Sequence, residues 1–130
     1  MILKGNVLTN QGPKPIQSIT TDDIIINFNN RPCRVLQITT DEISKVVRFK
    51  NNPDLLISAE TAIDTMYGKA MPKDGDAYIH YQCEMPCFHD ELTLETLLEP
   101  IKGYDLILDS GNGVFVNGYG IYCGKENADA

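Results

Sequence analysis

An all-β fold with one short helix is what this sequence predicts, and three features predict it. Apolar and polar residues alternate in short runs, isoleucine and valine are concentrated in those runs, and turn dipeptides fall between them. "NVLTNQGPKPIQSI" gives a strand ending at Thr9, a turn at Gly12-Pro13 and a second strand through Ile16 and Ile19. "DDIIINF" is an isoleucine-rich strand, and "NNRP" after it is turn chemistry. "CRVLQITT" and "SKVVRFKN" alternate around "DEIS", which reads as a hairpin with one buried face. "DLLISAETAI" starts a strand after the turn at Asn52-Pro53, and "KDGDAYIHYQCEMPCF" offers a turn at Asp74-Gly75 before an aromatic strand from Tyr78. "HDELTLETLLEP" is the helix: Asp90 caps it, Leu92, Leu94, Leu97 and Leu98 supply its apolar face, and Pro100 ends it. "GYDLILDSGNGVFVNGYGIYCG" closes as two strands with a glycine-rich turn, and Asn117-Gly118 is a turn pair for the last hairpin.

One hundred and thirty residues fit a single domain, expected over residues 1–124, with "KENADA" at 125–130 as a polar tail. With 42% hydrophobic and 22% charged residues, the composition is that of a globule and not of a disordered chain. A net charge of -7 argues against nucleic acid or an anionic membrane as partner, because both need a basic patch. "MILKGNVL" is too short an apolar stretch for a signal peptide, so a cytoplasmic or virion location is expected. The four cysteines do not make a disulfide scaffold, and free thiols in a reducing compartment are expected.

The order of these pieces resembles a family. Thr9, Gly12, Ile16 and Asp23 in "GNVLTNQGPKPIQSITTDDII" stand where Hint domains, the self-processing modules of inteins and hedgehog proteins, carry their entry strand and turn. Asp22 occupies the place of the usual glycine. "DLLISAETAI" is similar to the segment that holds Thr-x-x-His in that family, and "GYDLILDSGNGVFVNGYGIYC" to its last block, which ends in His-Asn. The resemblance spans residues 1 to about 124 and implies a compact, pseudo-twofold Hint-like β fold (a length that fits the single-domain prior).

What the resemblance implies for chemistry is an acyl shift. The first residue, Cys or Ser, attacks the carbonyl before it, and a histidine protonates the departing nitrogen. Met1 stands at that first place, and a thioether cannot accept an acyl group; an initiator methionine has no bond before it either. Ser58 keeps a hydroxyl where the family has threonine, while Thr61 replaces the histidine and cannot do its proton transfer near neutral pH. Asp105 is retained, Asn112 falls where a further histidine is common, and Tyr122-Cys123 replace the terminal His-Asn. The expectation is therefore a Hint frame whose site positions are vestigial and which is not an enzyme. Read from the residues alone, Asp105 and Ser58 are structural groups at a strand start and a turn, and Cys123 is a buried small hydrophobe.

A competing signal lies in "HYQCEMPCFH", where His80, Cys83, Cys87 and His89 could serve zinc. His80 and Cys83 differ by three, which puts them on opposite faces of a strand, so a packed hairpin is the preferred reading and no cofactor or metal is expected. The functional expectation is a non-catalytic structural or interaction protein, a subunit of a larger assembly such as a phage or virus particle, with other protein chains as partners. Its contacts are expected at 39–45, 67–76 and the edge strand at 24–28. The alternatives are a self-processing Hint protein with altered nucleophiles and a small zinc-binding module.

Overall fold

The computed structural model describes residues 1–82 and 87–124. Its twelve strands are β1 (Ile2–Lys4), β2 (Asn6–Thr9), β3 (Gly12–Pro15), β4 (Ile24–Ile26), β5 (Pro32–Phe49) and β6 (Asn52–Ser58), followed by β7 (Ile63–Thr65), β8 (Gly68–Ala70), β9 (Gly75–His80), β10 (Cys87–Leu108), β11 (Gly113–Val116) and β12 (Tyr119–Tyr122). All pairings are antiparallel and link them into one continuous sheet, ordered β11-β12-β7-β9-β10-β1-β6-β5-β4-β2-β3, with β8 on β7. The end strand β11 also bridges to β2, so the sheet curls back on itself around one core. Ile2, Val7, Ile25, Val47, Ile57 and Ile121 fill that core at 0–1% exposure, which places the isoleucine and valine content of the sequence where strand packing needs it.

The all-β class holds, but the expected helix does not. Residues 90–100 lie inside β10, and the helical structure among the described residues is one 3-10 turn at Ile16–Ser18. Leu92 to Thr96 pair residue by residue with Phe49 to Lys45 of β5, and Cys87 to Leu92 pair with β9. Leucine at 92, 94, 97 and 98 fits a helix face, yet only Leu92 is fully buried, and Leu98 is wholly exposed. Two flanking strands that complete the backbone hydrogen bonds outweigh the helix propensity of the leucines. Pro100, read as a helix stop, sits in an irregularity between Thr96 and Ile101, where its missing N–H leaves no gap in the ladder.

The hairpin expected around Asp41–Ser44 is also absent. Residues 32–49 form one strand, and Asp41, Glu42 and Ile43 pair with Gly103, Lys102 and Ile101. Nor is the isoleucine run an edge: β4 lies between β2 and β5, and Ile25 is fully buried, so the contact surface expected at 24–28 is core. The second strand of the entry segment stops at Pro15, and Ile16 belongs to the 3-10 turn.

The last hairpin forms as read. Asn117 (φ 49°) and Gly118 (φ 86°) make its turn, both in the left-handed region that a two-residue hairpin loop requires. The Asn117 side chain accepts the Asn6 N–H at 2.8 Å and donates to Asn52 at 3.1 Å, tying the turn to β2 and β6. Nearby Gly5 (φ 142°) has no room for a side chain, because a Cβ there would lie 2.5 Å from Val116 Cγ1. Gly5→Ala should therefore cost about 2–4 kcal/mol, from backbone strain and overpacking together. Urea unfolding checks this, and a loss below about 1 kcal/mol would show that the β1–β2 corner yields easily.

Cys33 is a buried thiol as expected, donating weakly to the Ile25 carbonyl. Burial, aided by the Asp109 charge, pushes its pKa up to about 11. Among the described residues no helix is long and apolar enough to cross a membrane.

Candidate functional site

Strand pairing brings Met1 to the site. Ile2 of β1 pairs with Ile57 of β6 on one side and Tyr104 of β10 on the other, so Met1 emerges between the end of β6 and Asp105. Beyond β6 the chain turns back through a Thr61 N–H bond to the Ser58 carbonyl (3.0 Å), which sets both hydroxyls on one side. Their oxygens are 2.6 Å apart, and the Met1 nitrogen donates to Ser58 Oγ at 2.9 Å and to Thr61 Oγ1. The Met1 carbonyl accepts the Ser58 N–H at 2.9 Å and, at 3.2 Å, the Thr61 hydroxyl.

The last hairpin delivers the other half. The Cys123 N–H donates to the Asn112 carbonyl (2.9 Å) and the Tyr122 N–H to the Ala62 carbonyl (3.0 Å). Asp105 then accepts the Gly124 N–H at 2.8 Å, so its carboxylate holds the backbone just past Cys123. An open cleft of about 470 Å³ runs from Met1 between Ser58, Glu60, Asp105 and Gly124 on one side and residues 41–45 of β5 on the other.

Acidic side chains outnumber basic ones at the site. As an amine, the Met1 nitrogen is held below its ordinary pKa, chiefly by burial. The nearby acidic groups, Asp105 first, oppose that shift.

Of the positions singled out in the sequence, the fold assembles Met1, Ser58, Thr61, Asp105 and Cys123. Asn112 takes part through its carbonyl alone. Tyr122 turns away: its ring packs edge-on against Phe28, centroids 5.0 Å apart, with the Lys69 ammonium 4.9 Å above it. Burial, then the Asp64 charge, raises its pKa. The histidines are elsewhere again, His80 on Asp64 (3.0 Å) and His89 on Asp76 (3.3 Å). Cys83 lies outside the described residues, and of Cys87 the backbone is described, opposite His80. Among the described residues no three metal-binding side chains converge.

The cleft wall is not legible in the sequence. Asp41, Glu42 and Lys45 read locally as a hairpin tip, and only the register of β5 against β10 shows that they face Met1. The Asp64–His80 pair is hidden in the same way, because it needs the adjacency of β7 and β9. No local signal points to either.

No family model and no curated protein matches the chain. Solved structures do. The gp41-1 intein superposes with a TM-score of 0.73 at 19% identity, covering 94% of this chain and 95% of that one. A bacterial intein-like domain from Clostridium thermocellum gives 0.78 at 15% identity, covering 95% and 98%. A DnaB intein from Synechocystis gives 0.71 at 11%, again covering 95% and 98%. At these identities the likeness is one of fold: the chain has the Hint fold. The expectation that it is not an enzyme is corrected by the same finding, since the structures that share the fold over nearly its whole length are inteins, which process themselves.

Proposed function

We propose that the chain is a self-processing Hint domain working with altered groups, in which an acyl group on the Met1 nitrogen passes to the thiol of Cys123. The observation that supports this reading most is the convergence at that nitrogen: two hydroxyls bond it, and Asp105 beside it holds the peptide unit just past Cys123. Met1 offers no acyl acceptor, and in this reading Cys123, which directly follows the last hairpin, supplies the thiol. Cys123 Sγ adds to the carbonyl preceding Met1, the C–N bond breaks, and the thiol proton ends on the Met1 nitrogen. The products are a thioester on Cys123 and a free amine, which Ser58 and Thr61 hold as it leaves. Asp105 fixes the thiol by anchoring the next peptide unit.

The test is a fusion carrying a short leader peptide before Met1, followed by intact mass at neutral pH with and without dithiothreitol or hydroxylamine. The leader should leave at Met1, and faster when the added nucleophile is present to resolve the thioester. Retention of the full mass under all conditions would refute the reading.

A further inference from the structure

We infer that Gly103 is a positioning residue for the Met1 site, an inference that rests on the processing reading of that site. Gly103 is buried in the interior of β10, paired with Asp41 of β5. Its φ is not positive, so the backbone there would take any residue. What the position lacks is space. A Cβ at 103 would lie 3.0 Å from Met1 Cβ and 2.9 Å from Ile43 Cγ1. A glycine inside a strand forgoes packing and loses more chain entropy than other residues, and it marks a place where another group comes close. Here that group is residue 1. Gly113 and Gly118 are crowded too, but by the rings of Phe28 and Tyr81; among the described glycines, Gly103 is the one whose absent side chain faces Met1.

The two neighbours differ in how they can yield. Ile43 Cγ1 can swing away by a change of rotamer. Met1 Cβ is bonded to its Cα, so it moves only with the backbone. That backbone carries both atoms that the site holds. The nitrogen donates to Ser58 Oγ at 2.9 Å and to Thr61 Oγ1, and the carbonyl accepts the Ser58 N–H at 2.9 Å. The bond that breaks in the proposed reaction is the one to this nitrogen. Hydroxyls hold the nitrogen by hydrogen bonds, and the bare backbone of Gly103 leaves the room in which residue 1 can sit against them. A side chain at 103 would push the scissile bond off its partners, and a misplacement of about 1 Å can cost about a hundredfold in rate.

The test compares leader fusions. Gly103→Ala should slow leader release by about tenfold or more. Adding Met1→Gly removes the Cβ that the alanine meets, and the pair should release the leader within about threefold of Met1→Gly alone. Adding Ile43→Ala clears only the other contact, so the pair should still be about tenfold slower than Ile43→Ala alone. Amide NMR spectra of the same chains, cleaved or intact, follow residue 1 without relying on cleavage. The Ser58 signal, whose N–H donates to the Met1 carbonyl, should move in Gly103→Ala. In the pair with Met1→Gly it should match Met1→Gly alone, and in the pair with Ile43→Ala it should stay displaced. Parent-rate release by Gly103→Ala, an unmoved Ser58 signal, or rescue by Ile43→Ala in place of Met1→Gly would overturn the inference. A Gly103→Ala chain that does not fold and that Met1→Gly does not restore would overturn it as well, because the crowding then lies elsewhere. If every fusion keeps its leader, the processing reading fails, while the Ser58 signal and its rescue pattern still decide whether Gly103 seats residue 1.

Discussion

Replacing Asp90 with alanine is expected to destabilise the fold by about 3–5 kcal/mol in urea unfolding, the largest single-site effect foreseen outside the cleft. Asp90 is fully buried. Its carboxylate accepts the Tyr119 hydroxyl at 2.6 Å, the Asn51 N–H at 2.9 Å and the Glu91 N–H at 2.8 Å. Alanine would leave two amides and a phenol without these acceptors, beneath a cluster in which the Tyr119 ring meets Phe49 edge-on and touches Tyr81 and Phe88. Burial, then the Asp90 contact, pushes the Tyr119 pKa up, so the phenol stays a donor throughout the working range. Tyr119→Phe should be milder, about 1–3 kcal/mol, because the carboxylate keeps its two amide donors. An Asp90→Ala chain within about 1 kcal/mol of the parent would show that water or a side-chain shift satisfies those groups, and that the carboxylate is not what holds them.

The second large effect concerns chemistry. In the leader fusion, Cys123→Ala should slow leader release by about a hundredfold or more, because it removes the proposed acyl acceptor. The variant should fold, since it loses one sulfur at a site whose backbone is held by Asn112 and Asp105. Cys123→Ser should retain slow release, a hydroxyl being the weaker nucleophile. Ser58→Ala with Thr61→Ala removes the hydrogen bonds to the leaving nitrogen together with the Thr61 bond to the Met1 carbonyl, and about a tenfold loss is expected. If the alanine variant at 123 releases the leader at the parent rate, the thiol takes no part.

Much of the fold is legible in the sequence because local chemistry fixes it. Asn117-Gly118 can hardly be anything but a hairpin turn, and it positions Cys123 through the strand that follows. The order of Thr9, Gly12, Asp23, Ser58 and Asp105 points to the fold that the superpositions bear out. The misreadings share one cause. Leucines at 92, 94, 97 and 98 satisfy both the helical period and a strand, and only β5 and β9 decide between them. Asp41-Glu42 resembles a turn but lies opposite Lys102-Gly103 in a ladder that no local window reveals. Asp90 resembles a helix cap for the same reason, when its partner Tyr119 is 29 positions away.

The most direct test of the central claim is the location of the acyl group during turnover. The leader fusion is held at mildly acidic pH to slow hydrolysis, digested, and its peptides weighed. The expected product is a branched species in which the leader is attached through a thioester to the peptide containing Cys123, converted by hydroxylamine to a leader hydroxamate and a free thiol. Leader released without that species, or found on Ser58 or Thr61 as an ester, would contradict the assignment of Cys123 as acyl acceptor.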